Sequence, residues 1–137
     1  WGITMIFIDA NVFLAYDNKD DVHHNLAHQL FQEIERGKYG HYFTSDYVFN
    51  EVVGVTFRKL GKERALIVGK MIIDAIPLVN VDDHLLKQAW NFFLENDSKL
   101  NFVDCTNMII CKITKAENIA TFDKEFTKVK ELKIVNS

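Results

Sequence analysis

The sequence predicts a three-layer α/β/α domain, with helices covering both faces of a central parallel sheet. Two observations lead there. Short apolar runs without polar alternation, Ile6-Phe7-Ile8 and Ile119-Ala120, read as strands buried on both faces. Between such runs lie longer segments with apolar residues at helical spacing, and strands alternating with helices give a covered parallel sheet. A chain of 137 residues fits one domain, expected over 5–137. At this size folding hides roughly 68–70% of the unfolded surface, so a core forms without crosslinks.

The elements follow in order. Trp1 to Thr4 read as a segment appended for expression, with Met5 as the natural start. Met5–Ile8 is the first strand and stops at Asp9; residues 12–16 make a short helix and 17–21 an acidic connector. Over 22–36, Leu26, Leu30, Phe31 and Ile34 keep helical spacing, with Asp20 or Asp21 as cap and Gly37 past the end. Residues 41–44 form the second strand, and Ser45 caps a long helix, Asp46–Leu60, that Gly61 ends. An amphipathic helix over 62–74 precedes a third strand, 76–81, with Pro77 at its edge or start. Asp82 caps a helix to about Glu95, 96–101 is a loop, and 103–115 is the next helix. A fourth strand, 119–122, ends at Asp123; a helical turn around Glu125 and Phe126 leads to the last strand, Lys133–Val135.

Composition excludes several classes. The chain is 48% hydrophobic and 26% charged with a single proline, which rules out disorder and collagen-like repeats. A net charge of −3 argues against a basic protein that coats nucleic acid. No apolar stretch has membrane-spanning length, because Asp74, Asp82 and Asp83 interrupt the best region, and no secretory signal pattern opens the chain. Cys105 and Cys111 are six residues apart in one expected helix. That spacing rises about 9 Å and turns the thiols to different faces, too far for a disulfide. Free thiols fit a cytoplasmic protein.

The chemistry shows in where acids interrupt apolar segments. Asp9 and Asp123 end core strands, at the sheet edge where ligands bind in open parallel sheets. Asp104 opens its helix, and Glu51 lies two turns into the helix after the second strand, among Phe49, Val52, Val53 and Val55. Both helices start from that same edge. Each acid alone has an ordinary explanation: Asp104 and Asp123 as helix caps, Glu51 as a solvated residue. Capping does not account for Glu51, and the four together point elsewhere. Two like charges ~4 Å apart repel by about 4 kcal/mol at an effective dielectric near 20, so a cluster needs a cation or protons. Oxygen ligands without Cys or His favour Mg²⁺ or Mn²⁺, ions suited to phosphoryl transfer.

These residues also carry a resemblance. Ile8-Asp9-Ala10-Asn11-Val12-Phe13-Leu14, Thr44-Ser45-Asp46-Tyr47-Val48-Phe49-Asn50-Glu51-Val52, Phe102-Val103-Asp104-Cys105 and Thr121-Phe122-Asp123-Lys124-Glu125-Phe126 resemble, in order and spacing, PIN-domain ribonucleases. The likeness is strongest to the VapC-like toxins of toxin–antitoxin pairs and covers essentially the whole chain. It implies a sheet of strand order 3-2-1-4-5 and metal-binding acids at Asp9, Glu51, Asp104 and Asp123. It also implies polar helpers at Asn11 and Thr121, cleavage of RNA leaving a 5′-phosphate, a homodimer and an antitoxin laid across the active groove. One departure is Asn107, a turn after Asp104, where the family varies among small and acidic residues; the quartet stays intact, and a fifth ligand loses its support.

Two rivals stand beside a metal-dependent endoribonuclease. A HAD-like phosphohydrolase also begins strand–Asp but needs a second Asp where this chain has Asn11. A catalytically weak binding module for RNA or protein would not need all four acids. Among other features, His24 and His28 have i, i+4 spacing without the glutamate of HExxH and read as a solvated face. His23, His41 and His84 show no partner, and Trp90, Phe92 and Phe93 read as core or subunit interface rather than a base-stacking platform. Arg58, Lys59, Lys62 and Arg64 form the densest basic run, a solvated face or a contact for RNA or an acidic partner segment. Ala65, Leu66, Val68, Met71, Ile72 and Ile73 exceed what one helix face needs, so a subunit or partner surface is expected there.

Overall fold

The computed structural model describes residues 4–128 and 132–136. Of the expected appended segment, residues 1–3 lie outside the described residues. Five strands form one parallel sheet of order β3-β2-β1-β4-β5: β1 (Met5–Ile8), β2 (His41–Ser45), β3 (Leu78–Val79), β4 (Asn118–Ala120) and β5 (Lys133–Val135). Among the described residues six α-helices, and a 3-10 turn (Lys124–Lys128) between β4 and β5, lie in the connections: α1 (Ala10–Asp17), α2 (His24–Glu35), α3 (Asp46–Leu60), α4 (Lys62–Ala75), α5 (Asp83–Glu95) and α6 (Phe102–Thr114). The strand order is the one expected. Ile6, Phe7 and Ile8 have no exposed surface, as the central strand of a sheet covered on both sides requires.

Several boundaries differ from the sequence reading, each for a local reason. α1 begins at Ala10 rather than residue 12, because the Asp9 carboxylate accepts from Ala10 N at 2.7 Å and caps it. α2 begins at His24 rather than 22; neither Asp20 nor Asp21 caps it, and Asp21 Oδ1 instead accepts from His23 N at 2.8 Å in a tight turn. Its buried face is Ala27, Leu30, Phe31 and Ile34, leaving Leu26 largely outside. β3 is two residues rather than six, because its partner β2 turns into α3 right after Ser45, which pairs with Val79. β4 ends at Ala120, opposite the end of β5 at Val135, so Thr121 to Asp123 lie beyond the strand. α6 spans Phe102–Thr114 rather than 103–115, since Lys115 takes the left-handed conformation that stops it.

One glycine is dictated by close approach. Gly40 has φ +79°, and a Cβ there would sit 2.1 Å from the Thr4 carbonyl oxygen that receives His41 N. This contact sets the start of the β1–β2 register, which in turn places Asp9 and Ser45 at the same edge.

Candidate active site

Asp9 follows β1 and is buried, 5% exposed. A carboxylate in that position has to be held by donors, and four side-chain or backbone groups supply them. Ala10 N donates to Oδ1 at 2.7 Å and Asn107 Nδ2 to the same oxygen at 3.2 Å. Thr121 Oγ1 donates to Oδ2 at 2.8 Å, with Asn11 Nδ2 more distant at 3.4 Å.

Thr121 is the hub of this network. Besides donating to Asp9, its hydroxyl oxygen accepts from Asn11 Nδ2 at 3.0 Å and from Asp123 N at 3.1 Å. Asn11 Oδ1 accepts from Phe122 N at 3.1 Å, which fixes its amide orientation. The segment after β4 is thereby stitched to the segment after β1, and Asp123 is brought toward Asp9 although no strand extends to it. Asp123 Oδ1 in turn accepts from Glu125 N at 2.9 Å.

Asp104 is the third residue of α6 and forms a reciprocal cap. Its N–H donates to Asn101 Oδ1 at 2.9 Å, and its Oδ2 accepts from Asn101 N at 3.0 Å. Asp104 is thus the helix cap that the sequence reading offered as its ordinary explanation, and Asp9, for which no cap was expected, caps α1 as well. Glu51 projects from the second turn of α3 and is half-buried.

Asp9 and Asp104 feel neighbouring acids. Burial pushes Asp9 up to about 7, with the charges of Asp104 and Glu51 adding to the rise and the Thr121 hydrogen bond opposing it. Burial likewise lifts Asp104 to about 6, with Asp123 and Glu51 contributing repulsion. Burial raises Glu51 as well.

The donor set fits a hard divalent ion. It is all oxygen, and Asn107 Oδ1 is buried beside Asp9 without a hydrogen-bond partner, a spare acceptor next to the carboxylates. Among the described residues no group of three or more His, Cys, Asp or Glu side chains stands close enough together to hold a metal ion. All-oxygen donors suit Mg²⁺ or Mn²⁺, ions that keep waters and complete their shell with substrate phosphate. A hollow of about 340 Å³ beside the C-terminal half of α6, lined by Met108, Ile109, Cys111 and Lys112 among others, shares no residue with the acids.

A PIN domain family model matches residues 6–132. The chain belongs to the PIN domain family. No curated protein matches it in sequence. Among solved structures, this PIN domain is similar to VapC20 of Mycobacterium tuberculosis, a toxin that cleaves the sarcin-ricin loop. The two are 24% identical, with TM-score 0.85 over 96% of this chain and 99% of that one. It is similar to VapBC2 of Rickettsia felis, solved with a fragment of its promoter DNA, at 12% identity and TM-score 0.74 over 96% and 98% of the chains. DNA-bound VapBC of Salmonella typhimurium follows at 13% identity and TM-score 0.72 over 97% and 98%. At such identities the likeness concerns the fold.

Some residues fall elsewhere than expected. His24 and His28 are not a solvated pair: His24 Nδ1 meets Ala15 O at 2.8 Å, and His28 stacks on Tyr16 with centroids 4.2 Å apart. His23 does have a partner, lying flat on Phe122 at 4.4 Å and 6°. Arg64 is paired with Asp17, tying α4 to α1, whereas Arg58, Lys59 and Lys62 are exposed. On α4, Ala65, Val68 and Ile72 are core, while Leu66, Ile67 and Ile73 face outward, as do Phe57 and Leu60 on α3. Both cysteines are free and buried in α6, and no described helix is long and apolar enough to cross a membrane. Asn107 was legible only as a departure from the family pattern; its bond to Asp9 spans 98 positions.

Proposed function

We propose that this PIN domain is a metal-dependent endoribonuclease, the toxin of a toxin–antitoxin pair. The observation that carries the reading is Asp9, held by Thr121 and Asn107 among three further acids whose charges oppose one another. The solved toxins with the same fold support it, VapC20 as an RNA-cleaving enzyme and the VapBC complexes as toxin–antitoxin assemblies.

Asp9, Glu51, Asp104 and Asp123 would hold Mg²⁺ or Mn²⁺, which when bound supplies positive charge to the phosphate oxygens and acidifies a water. Thr121 and Asn107 fix the Asp9 carboxylate in one orientation, and Asn11 holds Thr121 in place. Glu51, half-buried and raised by burial, takes the proton of the attacking water. Water oxygen attacks phosphorus in line, the bond to the 3′ oxygen breaks, and that oxygen takes a proton from solvent water while Glu51 gives its own back to solvent. The products are a 5′-phosphate and a 3′-hydroxyl.

The outward apolar side chains Phe57, Leu60, Leu66, Ile67 and Ile73 on α3 and α4 suit a second copy of the chain and an antitoxin segment. Exposed Arg58, Lys59 and Lys62 beside them suit acidic groups on that segment. The reading places the protein in the cytoplasm.

The test is to incubate the purified protein with structured RNA, with Mg²⁺, with Mn²⁺ and with chelator, and to identify the new ends. Metal-dependent fragments carrying 5′-phosphates are expected. Cleavage that persists in chelator, or 2′,3′-cyclic ends, would contradict the mechanism.

A further inference from the structure

A hollow of about 120 Å³ lies in the cleft between α1 and α3. Asn11, Leu14 and Asp17, at successive i, i+3 steps of α1, form one wall, and Val55 and Lys59, one turn apart on α3, form the other. Glu51 is one turn before Val55 on that same α3 face, and Asp9 caps α1 two residues before Asn11. The hollow and these acids are thus two parts of one cleft. Asn11 belongs to both, since its amide donates to Thr121 at 3.0 Å and reaches Asp9 at 3.4 Å. From Asn11 to Asp17 the helix rises about 9 Å, a distance one nucleotide spans. The Asp17 side chain is only 8% exposed; Arg64 takes its Oδ1, and its Oδ2 is buried with no hydrogen-bond partner among the described residues. An unpaired carboxylate oxygen costs stability, and a donor carried in by a ligand removes that cost.

The other polar groups of the hollow select the ligand. Asp21 also borders it, uses Oδ1 to accept from His23 N at 2.8 Å and keeps a second oxygen. Exposed Lys59 brings donors from the α3 wall. With Arg64 on Asp17, two carboxylates stand against two cations, so the hollow suits a neutral group better than a further cation. Its volume matches one flat heterocycle and falls below the roughly 300–1,000 Å³ of a pocket for a larger ligand. Among the RNA bases, guanine alone sets two adjacent donors, N1–H and N2–H₂, beside an acceptor, O6. We infer that the hollow reads a guanine next to the scissile bond, with the two donors on Asp17 and Asp21 and O6 on Lys59. The last torsion of an aspartate is broad, so a turn of the Asp17 carboxylate presents Oδ2 while the five donors of Arg64 keep their hold. The inference rests on the nuclease reading and adds the base that selects the cut.

The test is to digest RNA of random sequence with the wild-type protein in Mn²⁺ and sequence the new ends. Guanine should stand at one fixed position adjoining the cut. Asp17→Asn should lower that preference by roughly 5- to 150-fold while cleavage at sites without guanine is unchanged, whereas a merely structural role would slow all sites alike. Lys59→Ala, at an exposed position, should lower the preference with the fold intact. Inosine at the same position lacks only the 2-amino group and should cost the wild type a similar factor. Binding is read separately by titrating the protein with guanosine and inosine 5′-monophosphates under NMR. The guanosine nucleotide should bind more tightly, and Asp17→Asn should erase the difference. No fixed guanine, or a preference that survives in both variants, would overturn the inference. Should Asp17→Asn not fold, Lys59→Ala and inosine still decide. Arginine amide bound in the hollow, with no discrimination between the nucleotides, would assign it to a basic side chain of a protein partner instead. Discrimination without any RNA cleavage would remove the nuclease reading and leave the pocket standing. Cleavage with no guanine preference would remove the pocket alone.

Discussion

Asn107 donates its amide hydrogen to Asp9 Oδ1 across 3.2 Å while its own carbonyl oxygen is buried without a partner. A single side chain thus steadies the Asp9 carboxylate and keeps a buried acceptor unpaired. Asn107→Ala removes the donor and should destabilise the protein by about 1.5–3 kcal/mol, the worth of a hydrogen bond to a charged group. Asn107→Asp replaces the donor with another negative charge. Above pH 7 in chelator it should melt below Asn107→Ala, and Mn²⁺ should restore it by more than it stabilises the wild type. Equal melting of the two variants in chelator would show that Asn107 is not in electrostatic contact with the site.

The acids also set a pH dependence. Asp9 at about 7 and Asp104 at about 6 bind protons in the folded chain that the unfolded chain, with carboxylates near 3.8, releases. Between roughly pH 4 and 7 the folded state carries more protons, so these groups make metal-free stability fall as pH rises, with the loss complete above the folded values. Asp9→Asn combined with Asp104→Asn should flatten that slope, measured by thermal unfolding in chelator. An unchanged slope in the double variant would place its source elsewhere.

Metal linkage follows from the same charges. At 100 times its dissociation constant, an ion bound only by the folded state adds about 2.7 kcal/mol. The variant with Asn or Gln at Asp9, Glu51, Asp104 and Asp123 should lose this gain and be the more stable protein in chelator. The gain in the wild type should shrink as pH falls below 7, because the ion must displace protons. An equal shift in the quadruple variant would locate the ion away from these residues.

Much of this was legible in the sequence because it is local. The strand–Asp9 junction, the Ser45 and Asp82 caps and the fully apolar β1 depend on neighbours in the chain, and the expected strand order holds. What escaped depends on contacts between distant segments. Thr121 serves as a hub only because residue 9 lies 112 positions away in sequence yet within hydrogen-bond reach. Likewise, His23 found Phe122, and Ile72 turned inward where Ile73 did not. The length of β3 depended on where β2 stopped, which the composition of 76–81 does not encode.

The surface of α3 and α4 gives a further test. Ile72 is fully buried, so Ile72→Glu should unfold the protein rather than dissociate it, correcting the expectation that it lies at a subunit surface. Leu66 and Ile73 are 63% and 62% exposed, and Glu at either should change monomer stability by no more than about 0.5 kcal/mol while weakening self-association. Light scattering checks it: a wild-type mass of 15.9 kDa at micromolar concentration would contradict the dimer.

The central claim is that four carboxylates at one sheet edge make a metal-dependent RNA-cleaving site, and Asp104→Asn tests it most directly. The Asn101 cap survives this change, since an asparagine oxygen still accepts from Asn101 N, so the fold should persist by circular dichroism. The measurement is the rate of RNA cleavage in Mg²⁺ or Mn²⁺ by wild type and by Asp104→Asn, purified identically to exclude contaminating nuclease. The account predicts a loss of several orders of magnitude in a folded protein, whereas near wild-type cleavage by the variant would contradict it.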